Sequence, residues 1–434
     1  MFIIALIIFI TVYVALIAEK FPRHWVTLTG AGLLILTGVL SPLDAFKAIN
    51  WETLGLLAGM FILVSILQEA GFFSWLALSA VRSVNYFPAP LFITLVLLSA
   101  ALAMFMDSIT VMMFMVALTV QLCRLLKLDP VPLVIAEVCA ANTGGAATLV
   151  GDPPNVILGT VLGFNFMDFA SHTGPISALA SLVLVVYFFL ANRKALRDAH
   201  AALSPQVINE INSLQNEPMH ADLTRKGLIA FGAAVALLVI HHPLSDLIGF
   251  HIDAATCALV PAALAMIALR NNQRSSVLVR FDMENILFFT GLFMLIGGLE
   301  KVKVFEHLAE TLSSASLGHN TMVMALHWGP GLLSGVLDNV PLALAMSYVL
   351  KNLAVMPDMP ALALMVWSLA LGVDIGGNLT PIGASANVVA YTFMERNHGK
   401  VGWKRWLQIA APPTLAVMTL ASGLVLLKSY IGWY

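Results

Sequence analysis

The sequence predicts an all-α polytopic membrane protein built from two inverted-topology repeats, each with a re-entrant helical hairpin and a broken transmembrane helix. Three observations predict it. Of the 434 residues, 59% are hydrophobic and only 11% charged, against about 25% charged in a soluble domain. Apolar stretches that approach the roughly 20 residues needed to cross a bilayer recur along the whole chain. The second half also repeats the first at a shift of 232 residues.

A mean hydropathy of +0.90 suits a bilayer as solvent and not water. The net charge of −2 offers nucleic acid no basic surface. Cys123, Cys139 and Cys257 lie far apart, with no CxxC pair and no metal-ligand spacing. Cys139 sits close to a motif described below, where it reads as a small buried hydrophobe. No P-loop, nucleophile–base pair or metal motif is present. An enzyme and a resident cofactor are therefore not expected, and energy for transport must come from an ion gradient or a separate ATPase subunit. The N-terminus is apolar from Phe2 and lacks a basic leader and a small-x-small cleavage site, so it reads as a retained span.

The first repeat covers residues 1–192, with apolar segments near 2–19, 25–42, 52–70, 90–106, 108–124, 131–168 and 173–192. Residues 193–226 are polar and form the linker. The second repeat covers 227–434, with segments near 227–241, 250–269, 284–300, 321–337, 341–356, 360–395 and 407–430. The 232-residue shift superposes Glu52 on Glu284, Gly59 on Gly291 and Phe61 on Phe293. It also aligns NTGGAATLVGDPPNV (142–156) with DIGGNLTPIGASANV (374–388), matching Gly144, Gly145, Thr148, Gly151, Asn155 and Val156 to Gly376, Gly377, Thr380, Gly383, Asn387 and Val388. Apolar matches are cheap in membrane proteins; six in a short polar window at a shift already set elsewhere are not.

Orientation follows from Lys and Arg. If Asp107–Ser108 and Asp338–Asn339 are tips of hairpins (about 90–124 and 321–356) that enter and leave on one side, each half crosses an odd number of times and the second half is inverted. With the linker in the cytoplasm and both termini outside, only Lys47, Lys301, Lys303, Lys351 and Lys428 face outward, so 17 of the 22 basic residues lie inside. The mixed segments 71–84 and 301–316 read as interfacial helices before each hairpin.

Hydrophobic segments broken by Gly and Pro at matching places in two halves point to a transport site. NTGGAATLVGDPPN interrupts the span 131–168, and DIGGNLTPIGASAN interrupts 360–395. Unwound backbone at that depth is tolerated only where protein or a wet cavity satisfies it. Gly144, Gly145, Gly376 and Gly377 permit the unwinding. The returning half-helices are expected to start at Pro153, with Asp152 as N-cap, and near Ala384–Ser385. The hairpin tips, Asp107, Ser108 and Thr110 in one half and Asp338 and Asn339 in the other, are related by 231 residues and should meet the breaks.

Carboxylates inside a membrane are costly and mark function. Asp107, Asp152, Asp338 and Asp374 are the candidates for proton or ion coupling, with Glu137 as a fifth that has no counterpart in the second half. Asp107, Asp152 and Asp338 could equally cap helices, and a cap can also titrate. Asn142, Thr143, Thr148, Asn155, Asn378, Thr380, Ser385 and Asn387 would supply neutral hydrogen bonds to a solute, beside the backbone of the four glycines. His327 and the pair His241–His242 read as packing or interfacial residues. No Lys or Arg falls inside either motif, which favours a cation, a proton, or a neutral polyhydroxyl solute exchanged for protons.

At these residues the chain resembles the ion transporter superfamily, in the branch of the arsenite permeases, the NhaD-type antiporters and the melanosomal P protein. The stretch from MDSITVMMFMVALTVQL through NTGGAATLVGDPPNVILG is similar to the P-protein and arsenical-pump pattern, and GGNLTPIGASANVV to its second-half signature. The resemblance spans nearly the whole chain. It implies a scaffold domain and a transport domain that alternates access. It also implies proton-coupled export of arsenite or antimonite across the cytoplasmic membrane, sometimes with a separate ATPase, and often a homodimer. The tip Asp107–Ser108 departs from the usual Asp-Asn, which Asp338–Asn339 keeps. The alternatives are a Na⁺/H⁺ antiporter and a citrate- or dicarboxylate-type anion transporter; the latter usually carries Ser-Asn-Thr at both tips, which this chain lacks.

Overall fold

The computed structural model describes residues 1–18, 20–201, 203–212, 219–250, 252–315 and 317–434. The first half runs α1 (Phe2–Ala18), α2 (Arg23–Leu36), α3 (Pro42–Ala48), α4 (Trp51–Glu69), α5 (Phe72–Ser83), α6 (Pro88–Ala103), α7 (Ser108–Leu125), α8 (Pro130–Gly145), α9 (Pro153–Leu162), α10 (Phe166–His172) and α11 (Gly174–Ala201). After α12 (Pro205–Asn212) come α13 (Ala221–Ile248), α14 (Ala254–Ala268), α15 (Asn271–Arg280), α16 (Met283–Lys301), α17 (Val304–Ser314), α18 (His319–Ser334), α19 (Asn339–Leu353), α20 (Leu362–Gly376), α21 (Ser385–Asn397) and α22 (Trp403–Ile431). A single 3₁₀ turn, Gly377–Leu379, follows α20. No strand occurs among the described residues, and seven helices are long and apolar enough to cross a membrane.

The repeat is visible helix by helix. α4 and α16 superpose end to end at the 232-residue shift, and the hairpin helices α6 and α7 start in register with α18 and α19 at 231. Each half places a left-handed residue between the long helix and its short successor: Gly71 at φ 70° and Lys303 at φ 63°. Lysine adopts that region rarely, so the turn is held by the repeat's geometry and not by residue preference. Local caps set other boundaries. Ser41 and Asp44 close a capping box on α3, and Asn50 and Asp253 cap α4 and α14. Lys301 at the end of α16 reaches Asp44 at 2.6 Å and holds that carboxyl at about 2, below the ordinary carboxylate range.

Helices pack across the repeats. α2 lies on α16 and α14 on α4, with Gly59 against the Ala258 backbone and Gly291 against Thr27 and Leu28, approaches too close for a Cβ. Each hairpin's first helix packs on its own broken helix, α6 on α8 and α18 on α20. Each returning hairpin helix packs on the other half's broken helix, α7 on α21 and α19 on α9. The two halves are thereby interleaved, and the breaks are brought together.

Several boundaries differ from the sequence expectation. The first broken segment ends at Gly163, not near residue 168, because Gly163 takes φ 81° and Asn165 starts α10 with its own capping box. The stretch read as a polar linker is largely helical at its ends: α11 continues to Ala201 and α13 begins at Ala221. Residues 202 and 213–218 of that stretch lie outside the described residues.

Candidate functional site

The two breaks form one buried crossing. α8 stops at Gly145 and α20 at Gly376; the chain turns through 146–152 and 377–384, and restarts as α9 and α21. Gly144 packs on the Ala100 carbonyl and Gly376 on the Gly331 carbonyl, where any Cβ would collide with backbone. Glycine here serves close approach between the hairpin's first helix and the broken helix.

Each turn is clamped by one asparagine. Asn155 donates from Nδ2 to the carbonyls of Gly145 (3.2 Å) and Thr148 (2.9 Å). Asn387 does the same to Gly377 (2.8 Å) and Thr380 (2.7 Å). These are the unwound carbonyls that must find donors in a low-dielectric interior. The hydroxyl of Thr148 bonds the Met104 carbonyl and that of Thr380 the Gly335 carbonyl at 2.5 Å, tying each turn to its hairpin tip. Ser177 and Ser334 satisfy the Thr143 and Val373 carbonyls.

Across the pseudo-twofold, Asn142 donates from Nδ2 to Asn378 Oδ1 and to Asn387 Oδ1, both at 2.9 Å. Asn378 Nδ2 stands 3.4 Å from Thr143 Oγ1, and Trp406 Nε1 donates to the Asn378 carbonyl at 3.2 Å. Asn142, Thr143, Asn155, Asp374, Asn378 and Asn387 are fully buried.

The carboxylates divide by role. Asp107 caps α7 through Thr110, accepting its N–H at 3.0 Å and its hydroxyl at 2.7 Å. Asp338 caps α19 through the Val340 N–H at 3.0 Å. Asp152 stands at the start of α9 but makes no capping bond. Its Oδ1 accepts from Ser108 (3.1 Å) and its Oδ2 from Asn339 (3.0 Å), one donor from each hairpin tip. The Asp374 carboxyl faces that of Asp152, and neither Asp374 oxygen has a hydrogen-bond partner. Glu137 lies apart: Thr119 on α7 donates to its Oε1 at 2.6 Å within the same repeat, and its Oε2 has no partner. His327 contacts the Ser368 and Met418 carbonyls at 3.0 and 3.1 Å, a packing role. The three cysteines are free and buried.

One cation enters the site that the motifs did not contain. Arg23, at the start of α2, donates from Nη1 to Asp338 Oδ2 at 2.6 Å and to Ser385 Oγ at 2.5 Å, and Ser385 donates to Asp338 at 3.2 Å. By sequence alone Arg23 is only one of the 17 basic residues assigned to the cytoplasmic side. The only signal was a broken repeat, since its counterpart at 231 residues on is Ala254.

Two cavities open beside the first hairpin tip and the start of α21. One, of about 420 Å³, leads past Gln68, Arg280, Asp282 and Glu284 to Asp107 and Thr110. The other, of about 320 Å³, leads past His24, Asp282 and Glu284 to Arg23 and Ser385. On the opposite face the equivalent elements are joined. Glu52 Oε1 accepts the Ala254 N–H at 3.2 Å, and the hydroxyls of Thr53 on α4 and Thr160 on α9 meet at 2.5 Å. Cavities thus approach the site on one side, where His24 and Glu284 stand 3.6 Å apart, and the Thr53 and Thr160 hydroxyls meet on the other.

The chain is thus an all-helical membrane protein with interleaved hairpins and broken helices around a buried polar crossing. Residues 13–372 match the citrate transporter family, and the chain belongs to it. It is 33% identical over 398 residues to a 46 kDa membrane protein of Mycobacterium leprae, covering 90% of each chain. An uncharacterised transporter of Mycobacterium tuberculosis is 31% identical over 442 residues, covering 99% of this chain and 100% of that one. The human P protein is 28% identical over 511 residues, covering 99% of this chain and 60% of the P protein. Among solved structures, the YdaH transporter of Alcanivorax borkumensis superposes with a TM-score of 0.59 at 14% identity, covering 92% of this chain and 88% of its own. MtrF of Neisseria gonorrhoeae, of a class of antimetabolite efflux pumps, gives 0.58 at 12% identity, covering 91% of this chain and 83% of its own. The last two share the fold.

Proposed function

We propose that this protein is a proton-coupled secondary transporter that exports a small uncharged polyhydroxyl solute of the arsenite or antimonite type across the cytoplasmic membrane. The observation that carries this reading is the pairing of two buried carboxyls, Asp152 and Asp374, among neutral Asn, Thr and Ser groups, with Arg23 at the edge of the site already bound to Asp338. Trivalent arsenic at neutral pH is an uncharged triol, and amide and hydroxyl groups can bind it without a fixed cation. A carboxyl that loses or gains a proton changes the cost of carrying the site through the dry part of the cycle, which couples the two fluxes. The positive-inside rule places the linker in the cytoplasm, so the two cavities open inward in this conformation.

A second reading, a citrate-type anion carrier, is favoured by the family and by Arg23. Its difficulty is electrostatic. Arg23 is already bound to Asp338, so an anion must displace that carboxylate or arrive with a cation of its own.

Growth of a transporter-deficient host on arsenite, high salt, alkali and citrate as sole carbon source separates the readings. Rescue on arsenite supports the first. Rescue confined to salt and alkali, or to citrate, replaces it.

A further inference from the structure

The repeat symmetry that superposes the two breaks fails at one chemically telling position. Asn142 in the first half stands where Asp374 stands in the second. Asn142 donates across the pseudo-twofold to Asn387 Oδ1 at 2.9 Å. By the repeat, Asp374 takes the place of Asn142 and Asn155 that of Asn387, so the symmetry-related acceptor is Asn155 Oδ1. Asn155 Oδ1 is buried and has no partner, and neither has either oxygen of Asp374. The orientation of the Asn155 amide is fixed, because its Nδ2 is engaged by two carbonyls and a flip would set oxygen against both. A bond that the first half makes through an amide N–H is thus missing in the second half for want of one hydrogen.

We propose that Asp374 carries that hydrogen as a carboxylic acid, forming with Asp152 a pair that holds a single proton, and that this is the proton exchanged in transport. As an acid, Asp374 has one O–H to donate: given to Asn155 Oδ1 it makes the missing bond, and given to the Asp152 carboxylate it is the proton the pair shares. The donors around Asp152 decide which member is the acid. Asp152 already accepts from Ser108 and from Asn339, two bonds that stabilise its anion, while Asp374 accepts none. Two carboxylates this close cannot both ionise in a buried site. The other charged groups acting on the pair are Asp107 and Asp338, both through Asp152, and Asp338 is itself bound by Arg23. Because both hairpin tips hold Asp152, a tip that moves during the cycle changes the pair's hold on its proton; release leaves two facing anions, a state that a buried crossing disfavours.

The coupling part of the proposal rests on the transport reading above; the proton itself does not. The test is infrared spectroscopy of the purified protein labelled with carbon-13 at the aspartate carboxyl, at neutral pH. The expected result is one protonated aspartate in the wild type and in D107N, absent from D374N. D374N is isosteric, and its amide N–H can still reach Asn155 Oδ1, so the fold is retained. In N142D/D374N the acid signal returns, because the carboxyl introduced by N142D then faces Asn387 Oδ1. An acid signal that survives in D374N, or that is missing from the wild type, overturns the proposal. If the signal behaves as expected but the wild type in vesicles moves no protons with any solute, the shared proton stands and its role in coupling is overturned together with the transport reading.

Discussion

Arg23 and Asp338 are separated by 315 residues in the chain and meet at 2.6 Å, joining the start of α2 to the tip of the second hairpin. Their side chains are 28% and 12% exposed, so the pair is neither a surface contact nor fully dry. R23Q leaves the Asp338 carboxylate short of its cation, and the expected cost is about 1–3 kcal/mol of stability. D338N in the same background recovers most of it, since the residual amide needs no counter-charge. A double-mutant cycle on thermal unfolding in detergent checks this; additive losses contradict the pair.

The clamps at Asn155 and Asn387 each supply two donors to unwound carbonyls. N155D and N387D keep the shape but replace the donor by an acceptor facing two acceptors. Each should cost more stability than the corresponding Ala, whose cost is about 1–3 kcal/mol. Measured unfolding that ranks Ala below Asp would refute the clamp.

Close backbone approach predicts where alanine is tolerated. G144A and G376A drive a Cβ into the carbonyls of Ala100 and Gly331, so both should abolish folding or transport. G232A and G423A, with nothing near the added carbon, should be neutral or stabilising by about 0.5–1 kcal/mol. Expression and melting temperature of the four variants decide.

The joined hydroxyls of Thr53 and Thr160 mark the closed face. Their repeat counterparts are Asn285 and Thr392, and Asn285 lines the open cavity. In a background without Cys123, Cys139 and Cys257, the pair T53C/T160C should cross-link in this conformation. The pair N285C/T392C should cross-link only when the opposite conformation is populated. Equal cross-linking of both pairs under one condition would argue against exchange between two mirror states.

Much of this architecture was legible because the repeat is written in polar residues. The matches of Glu52 to Glu284 and Gly59 to Gly291 set the shift, the NTGG and DIGG breaks fall in register at it, and the hairpin tips fall at Asp107 and Asp338, just before α7 and α19. What was hidden has a common cause: a contact between distant segments leaves no local pattern. Arg23 read as a topology charge because nothing near it in sequence names Asp338 or Ser385. Asp152 reads as a coupling candidate that could equally cap α9, because position alone suggests a cap, whereas its oxygens are taken by Ser108 and Asn339 from two different hairpins. Gly163 stopped α9 early by turning left-handed, a choice that an apolar run through residue 168 masks.

The central claim is that solute movement drives proton movement through Asp374. In everted membrane vesicles with an imposed pH gradient, a pH-sensitive dye reports proton release when solute is added. Dequenching is expected on adding arsenite to wild-type vesicles, and none with D374N although the variant still folds and binds solute. Dequenching in D374N equal to that of the wild type would contradict it.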